Sequence, residues 1–190
     1  MFDLKPMPVP RIRQAQRNDR ASWLHLRRSL WPHCSEHKHN LEMGQLLKSD
    51  GVVFVAENDQ AELIGFAEVS LRQDHVDGAS ISPVPYLEAW FVEASFRKQG
   101  VGRALIGAVE RWATSRGYTE LASDAEIENS LSIRLHKQLG FAEIDRNVTF
   151  LKMLTSRAAK NVELGAAPNG GPATRLDNPG VAGGPPPSVS

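Results

Sequence analysis

One cysteine, Cys34, is the only thiol in the chain, so no internal disulfide framework can hold it together. Charge of one sign is not in surplus either: 22 basic and 22 acidic side chains give a formal net charge of +0. A general nucleic-acid binder would show a basic excess, so nucleic acid is not the expected partner. Long apolar runs are missing, since no stretch approaches the ~20 residues of a membrane span. The N-terminus does not show the basic-then-apolar layout of a secretion signal. Two phosphate-binding patterns are absent as well. There is no Gly-x-x-x-x-Gly-Lys-Ser/Thr loop, and no Gly-x-Gly-x-x-Gly in an early β-α unit. These absences lead us to expect a soluble cytoplasmic protein engaging neither membrane nor nucleic acid.

What is present changes in character along the chain. Residues 1–10 carry three prolines and read as a loose arm. Residues 11–154 alternate apolar-periodic segments with short polar breaks, as one α/β domain would, and ~150 residues suffice for a single core. Residues 155–190 are rich in Gly, Pro and Ala, with too little apolar surface to offset the entropy of ordering them; a disordered tail is expected.

Within the domain, periodicity gives an element order. Arg11 to Ala15 reads as a first strand. Asn18 or Asp19 then caps a helix carrying Trp23, Leu26 and Leu30, and Trp31-Pro32 ends it. A shorter helix follows at 40–48, then a hairpin of strands at 52–56 and 63–71. A third strand of the sheet spans 86–92, and a helix spans 103–116. A short strand at 120–123, a helix at 129–139 and a closing strand or pair at 142–154 complete the pattern. The order β-α-α-β-β-β-α-β-α-β implies a mixed sheet, antiparallel first, with one parallel crossover.

That crossover contains the most informative segment, Phe96-Arg97-Lys98-Gln99-Gly100-Val101-Gly102-Arg103. It links a strand to a helix N-terminus, where unpaired backbone N–H groups and the helix dipole favour an anion. Gly100 and Gly102 lack a Cβ and allow close approach, while Arg97, Lys98 and Arg103 supply neutralising charge. Alone, such a turn is equally consistent with a tight surface connection.

In this strand order, and with Leu135-His136-Lys137-Gln138-Leu139-Gly140-Phe141 downstream, the region from Ile12 to Leu154 resembles the GNAT superfamily of acyl-CoA-dependent N-acetyltransferases. The resemblance implies the GNAT fold, with Arg97 to Gly102 as the coenzyme A diphosphate turn and Arg103 completing the helix start. Leu30-Trp31-Pro32, the stretch 72–78, Ser82-Pro83-Val84, Leu87-Glu88, Ala122-Ser123-Asp124 and Glu128-Asn129 are similar to the aminoglycoside 6′-N-acetyltransferases. The implied activity is acetyl-CoA-dependent N-acetylation of an aminoglycoside 6′-amine, conferring resistance. A GNAT enzyme for another small amine or a protein N-terminus, or a non-catalytic binding module, is the alternative.

Acetyl transfer to an amine requires the amine to lose a proton, the thioester carbonyl to be polarised, and the two to be aligned. A covalent intermediate is not required, so Cys34 need not be a nucleophile. A polycationic substrate calls for a locally acidic site, for which Glu88, Asp124 and Asp145 are candidates, along with Asp74 and Asp77 in the preceding loop. Glu88 could equally be a strand residue paired with an arginine, and Asp124 a helix cap. The resemblance implies that Trp31, His75, Glu88, Asp124 and Asp145 contact the substrate. It also implies that Trp90, Phe91 and Val92 present backbone groups to the acetyl and pantetheine, and that Lys98, Gln99, Gly100, Val101, Gly102, Arg103 and Asn129 hold the cofactor. We take Asp124 as proton acceptor, with Glu88 assisting orientation.

His33 reads as a lining residue of the sugar pocket near Trp31 rather than a metal ligand with His37, His39 and Cys34, and no metal is expected. His136 stands where many GNAT members carry a tyrosine that protonates the departing thiolate; either His136 or solvent does so here. Relatives are commonly dimers, and a homodimer is expected.

Overall fold

The computed structural model describes residues 10–153. The expected arm, save Pro10, and the expected tail at 155–190 lie outside the described residues, as does Leu154. Residues 10–145 belong to one compact unit and 146–153 to another.

A five-stranded sheet organises the first unit, in the order β1-β2-β3-β4-β5. The strands are β1 (Arg11–Gln14), β2 (Val52–Glu57), β3 (Leu63–Arg72), β4 (Val84–Val92) and β5 (Ala122–Ser123). The first four pair antiparallel and β5 joins β4 in parallel, giving the mixed sheet expected. β2 and β4 are rich in valine and aromatics and are almost continuously buried. Such a pattern needs a cover on both faces.

Two apolar clusters provide those covers. On one face α1 (Arg20–Leu30) and α2 (Glu36–Leu46) place Trp23, Leu26, Leu30 and Met43 against Val53, Val55, Phe66, Ala89 and Phe91. On the other, α3 (Val101–Ser115) sets Leu105, Ile106, Val109 and Trp112 against Phe54, Ala67, Val69, Leu87 and Trp90. Leu135 and Leu139, from α4 (Ser130–Gln138) and its C-cap, pack against this second cluster. No helix among the described residues is long and apolar enough to cross a membrane.

Element ends differ from the sequence reading where a cap outranks periodicity. α2 starts at Glu36 rather than 40, because Ser35 Oγ accepts from the Lys38 amide. α1 follows Asp19, but the Asp19 carboxylate does not cap it. It accepts from the Gln16 amide at 2.6 Å and from Arg13, which hold it well below its ordinary range.

One expected element is corrected. The closing strand expected at 142–154 is not seen over its described part: residues 141–153 contain neither helix nor strand, and 142–153 are exposed. Alternating side chains confer strand capacity, but a strand exists only where a neighbouring ladder takes up its amides. None does so among the described residues. Asp145, expected on that strand, therefore lies on an exposed irregular segment.

Candidate active site

The parallel pair β4 and β5 opens like a fork. Their ladder holds only Tyr86 against Ala122 and Leu87 against Ser123. β4 then runs on to Val92 while β5 stops. From Glu88 onward, the edge of β4 that faces away from β3 has no strand partner among the described residues. Trp90, Phe91 and Val92 lie on that stretch with buried side chains. What they can offer a ligand is backbone.

Beyond the fork the chain makes the glycine turn. Lys98 and Gly100 have φ of 61° and 85°, and Gly100 is the N-cap of α3. The first helical hydrogen bond, Ala104 N–H to Gly100 C=O at 2.9 Å, leaves the amides of Val101, Gly102 and Arg103 without intrahelical acceptors. Gly102 is required by packing as well as by access: a Cβ there would lie 3.0 Å from the Trp90 ring. Arg97 braces the turn by donating Nε–H to Val92 C=O at 2.9 Å, and Gln99 donates to Ser95 C=O at 2.9 Å. Lys98 and Arg103 are the remaining cations beside the open amides. This donor set fits a diphosphate at a helix N-terminus.

An ionic cluster occupies the face of the sheet that α1 and α2 cover further along. Glu88 sits at a bulge: Glu68 pairs Ala89 and Val69 pairs Leu87, so Glu88 has no partner in the ladder. Its carboxylate accepts from Arg72 at 3.0 and 2.7 Å and from the Ser70 hydroxyl at 2.5 Å. The arginine pairing weighed for Glu88 from sequence is thus realised. Arg72 also lies 3.3 Å over the ring of Tyr86, and the Asp124 carboxylate is near enough to act on the Tyr86 phenol electrostatically. Burial, reinforced by Asp124, pushes the Tyr86 phenol well up, so it stays protonated. Asp124 itself is exposed, one residue past β5, and it is not a helix cap; Asn129 caps α4 by accepting from the Ser132 amide at 3.0 Å.

His136 is buried inside this fork. Its Nδ1 is 2.8 Å from Ser132 C=O and its Nε2 is 3.0 Å from Ser123 Oγ, which also lies 3.1 Å from Leu87 C=O. Burial lowers its pKa, favouring the neutral ring. A carbonyl can only accept, so the one proton of that ring belongs on Nδ1. In this state Nε2 has no proton to lend a thiolate.

The other expected residues are placed less centrally. Trp31 is buried, stacked on His39 with 6.2 Å between centroids, and Arg27 lies 4.6 Å over its ring. His33 is exposed, and so is His75, which pairs with Asp77 at 3.2 Å. His39 is buried with Nδ1 accepting from Arg27, apart from the exposed His33 and His37. No group of three metal-ligating side chains assembles among the described residues. Burial pushes the Cys34 thiol up, away from thiolate character. Arg72, Tyr86, Ser70 and Ser123 were not singled out from sequence. Their signal was available in part: Glu68, Ser70 and Arg72 are polar at period two in a largely buried strand.

A model described as the acetyltransferase (GNAT) family matches residues 15–141. The chain belongs to the GNAT acetyltransferase family. Among GNAT relatives, an aminoglycoside N(6′)-acetyltransferase type 1 of Stenotrophomonas maltophilia is 43% identical over 142 residues, covering 75% of this chain and 92% of that protein. A protein of the same name from Salmonella typhimurium is 42% identical over 142 residues, covering 74% and 97%. The solved GNAT structure of AAC(6′)-Iy, in complex with the bisubstrate analog CoA-S-monomethyl-acetylneamine, superposes with a TM-score of 0.72. It is 39% identical and covers 77% of this chain and 100% of that one.

Proposed function

We propose that the protein is an acetyl-CoA-dependent aminoglycoside 6′-N-acetyltransferase. The observation that carries this reading is the fork: an anion-binding glycine turn at one end of β4 and an exposed carboxylate, Asp124, where β5 leaves it. Relatives above 40% identity carry that name, and their similarity spans the residues of both features.

In this reading the coenzyme A diphosphate rests on the amides of Val101, Gly102 and Arg103, with Lys98 and Arg103 neutralising it. Backbone groups of Trp90, Phe91 and Val92 align the pantetheine and acetyl along the unpaired edge of β4. Asn129, while capping α4, lies on the cofactor side. Asp124 draws in the 6′-ammonium and takes its proton, directly or through water. The freed amine attacks the thioester carbonyl, the C–N bond forms, the C–S bond breaks, the nitrogen sheds its second proton to solvent, and the thiolate takes a proton from solvent. Trp31, His33, His75 and Asp145 line the aminoglycoside, with Glu88 acting through Arg72 rather than as a base. The product has lost a positive charge and a hydrogen-bond donor, which is the basis of resistance.

The same reading places the enzyme in the cytoplasm, where acetyl-CoA is available, as a homodimer. Supporting the dimer, Ile144, Val148, Phe150, Leu151 and Met153 all expose at least 64% of their surface. Light scattering on the purified chain should give twice the mass of one chain.

The decisive assay follows free thiol release from acetyl-CoA with kanamycin or tobramycin. Wild-type protein should turn over, and Asp124→Asn should be slower by ~10²-fold or more in kcat. Undiminished kinetics in Asp124→Asn would remove this residue from the mechanism, and turnover of unrelated amines alone would remove the substrate assignment.

A further inference from the structure

We propose that Arg72 is a specificity-determining residue for acetyl transfer: by occupying Glu88 it leaves Asp124 as the carboxylate that captures an ammonium, and so selects which amine of the polycation is acetylated. This rests on the reading of the protein as an aminoglycoside acetyltransferase with Asp124 as proton acceptor.

The need for a selector follows from the backbone. Leu87 and Ser123 form the last rung between β4 and β5, and Glu88 and Asp124 are the residues that follow it on each side. Neighbouring strands run about 5 Å apart, so two acidic residues leave that rung side by side at the mouth of the fork. An aminoglycoside carries several ammonium groups. Two open carboxylates so near each other would give it more than one way to bind. Only the way that sets the 6′-amine against the thioester is productive.

Arg72 removes one of the two. Its Nε and Nη2 donate to the two oxygens of Glu88 at 3.0 and 2.7 Å, and the Ser70 hydroxyl donates to Oε1 at 2.5 Å. A two-pronged guanidinium–carboxylate pair is stronger and more exacting in geometry than a single contact. The guanidinium carbon stands 3.3 Å from the centroid of the Tyr86 ring, which helps to hold the cation in place. Both partners of the pair stay partly exposed, within reach of a ligand, so stability is not the reason for it. Asp124, by contrast, is exposed. A cation built into a site for cations lowers affinity. Its compensating effect is discrimination, since an unwanted register meets a like charge where it would have met a carboxylate.

Arg72→Met tests this, because it removes the charge and keeps an apolar stem over Tyr86. The freed Glu88 should then capture ammonium groups in unproductive registers. That lowers kcat and the aminoglycoside KM together, each about tenfold, with kcat/KM almost unchanged. Nuclear magnetic resonance of the products should show acetyl groups on amines other than the 6′. Arg72→Lys, which keeps the charge but not the two-pronged grip, should fall between Arg72→Met and wild type. In Arg72→Met/Glu88→Gln the competing carboxylate is gone. There kcat should rise above that of Arg72→Met, and the 6′-amide should again be the sole product. A merely structural arginine would lower kcat/KM, leave the 6′-amide as sole product throughout, and gain nothing from Glu88→Gln. Any one of those three results overturns the selector role alone. Full kcat in Asp124→Asn, or wild-type protein that turns over no aminoglycoside, overturns the underlying reading and this inference with it.

Discussion

Two of the arginine–glutamate pairs on one face of the sheet, Arg27–Glu68 and Arg72–Glu88, differ in what surrounds them. Arg27 and Glu68 are sealed under α1 and α2, each side chain only 3% exposed. Trp23 donates to Glu68 at 2.7 Å, Glu42 takes the far side of the guanidinium, and Trp31 lies beneath it. Arg72 and Glu88 stand past the cover of the helices, 37% and 26% exposed, between a tyrosine and an open fork. Buried ions must be mutually satisfied or they unfold the chain, whereas half-open ones contribute little to stability and can serve orientation. Identical chemistry thus does two jobs, and burial separates them.

The largest expected effect breaks the sealed pair. Arg27→Ala strands Glu68 in the core and should destabilise the protein by about 3–5 kcal/mol, read by urea denaturation. A cost below about 1 kcal/mol would mean that the helices are held by apolar packing alone. Arg72→Ala is the contrasting variant. It should change stability by no more than about 1 kcal/mol, because the pair is partly hydrated, yet lower kcat roughly tenfold by releasing the Glu88 carboxylate that it orients. Equal stability losses in the two variants would erase the distinction.

A smaller effect is one of pH. Burial pushes His39 and His136 below the ordinary value of 6.5, so the folded protein prefers both rings neutral. As pH falls through about 6.5 the unfolded chain takes up protons that the folded one refuses, and stability should decline there while staying flat above it. His136→Asn should flatten part of that slope in thermal melts. A wild-type melting temperature constant from about pH 8 down to about 5.5 would contradict it.

Much of this molecule was legible before its structure. The glycine turn could be read because its function needs residue types that little else demands there: Gly100 sits at positive φ and Gly102 lies against Trp90. The hairpin of β2 and β3 followed from two β-branched, apolar runs about a polar break. Less legible was what Glu88 does. Its partner Arg72 lies sixteen residues away, and only the bulge at 88 turns it toward that arginine. The expected final strand failed for a related reason: 142–154 has strand composition, but pairing is a property of a neighbour, not of the segment.

By itself, then, the order of residues determined the mixed sheet, the anion-binding turn and the acidic candidates, since backbone freedom, periodicity and charge are local and are written residue by residue. Only tertiary structure decided which carboxylate is engaged and which is open. Glu88 is bound by Arg72 and Ser70, whereas Asp124 is exposed beside Tyr86. That choice depends on distances between strands remote in sequence, and on how much water each charge keeps once they meet.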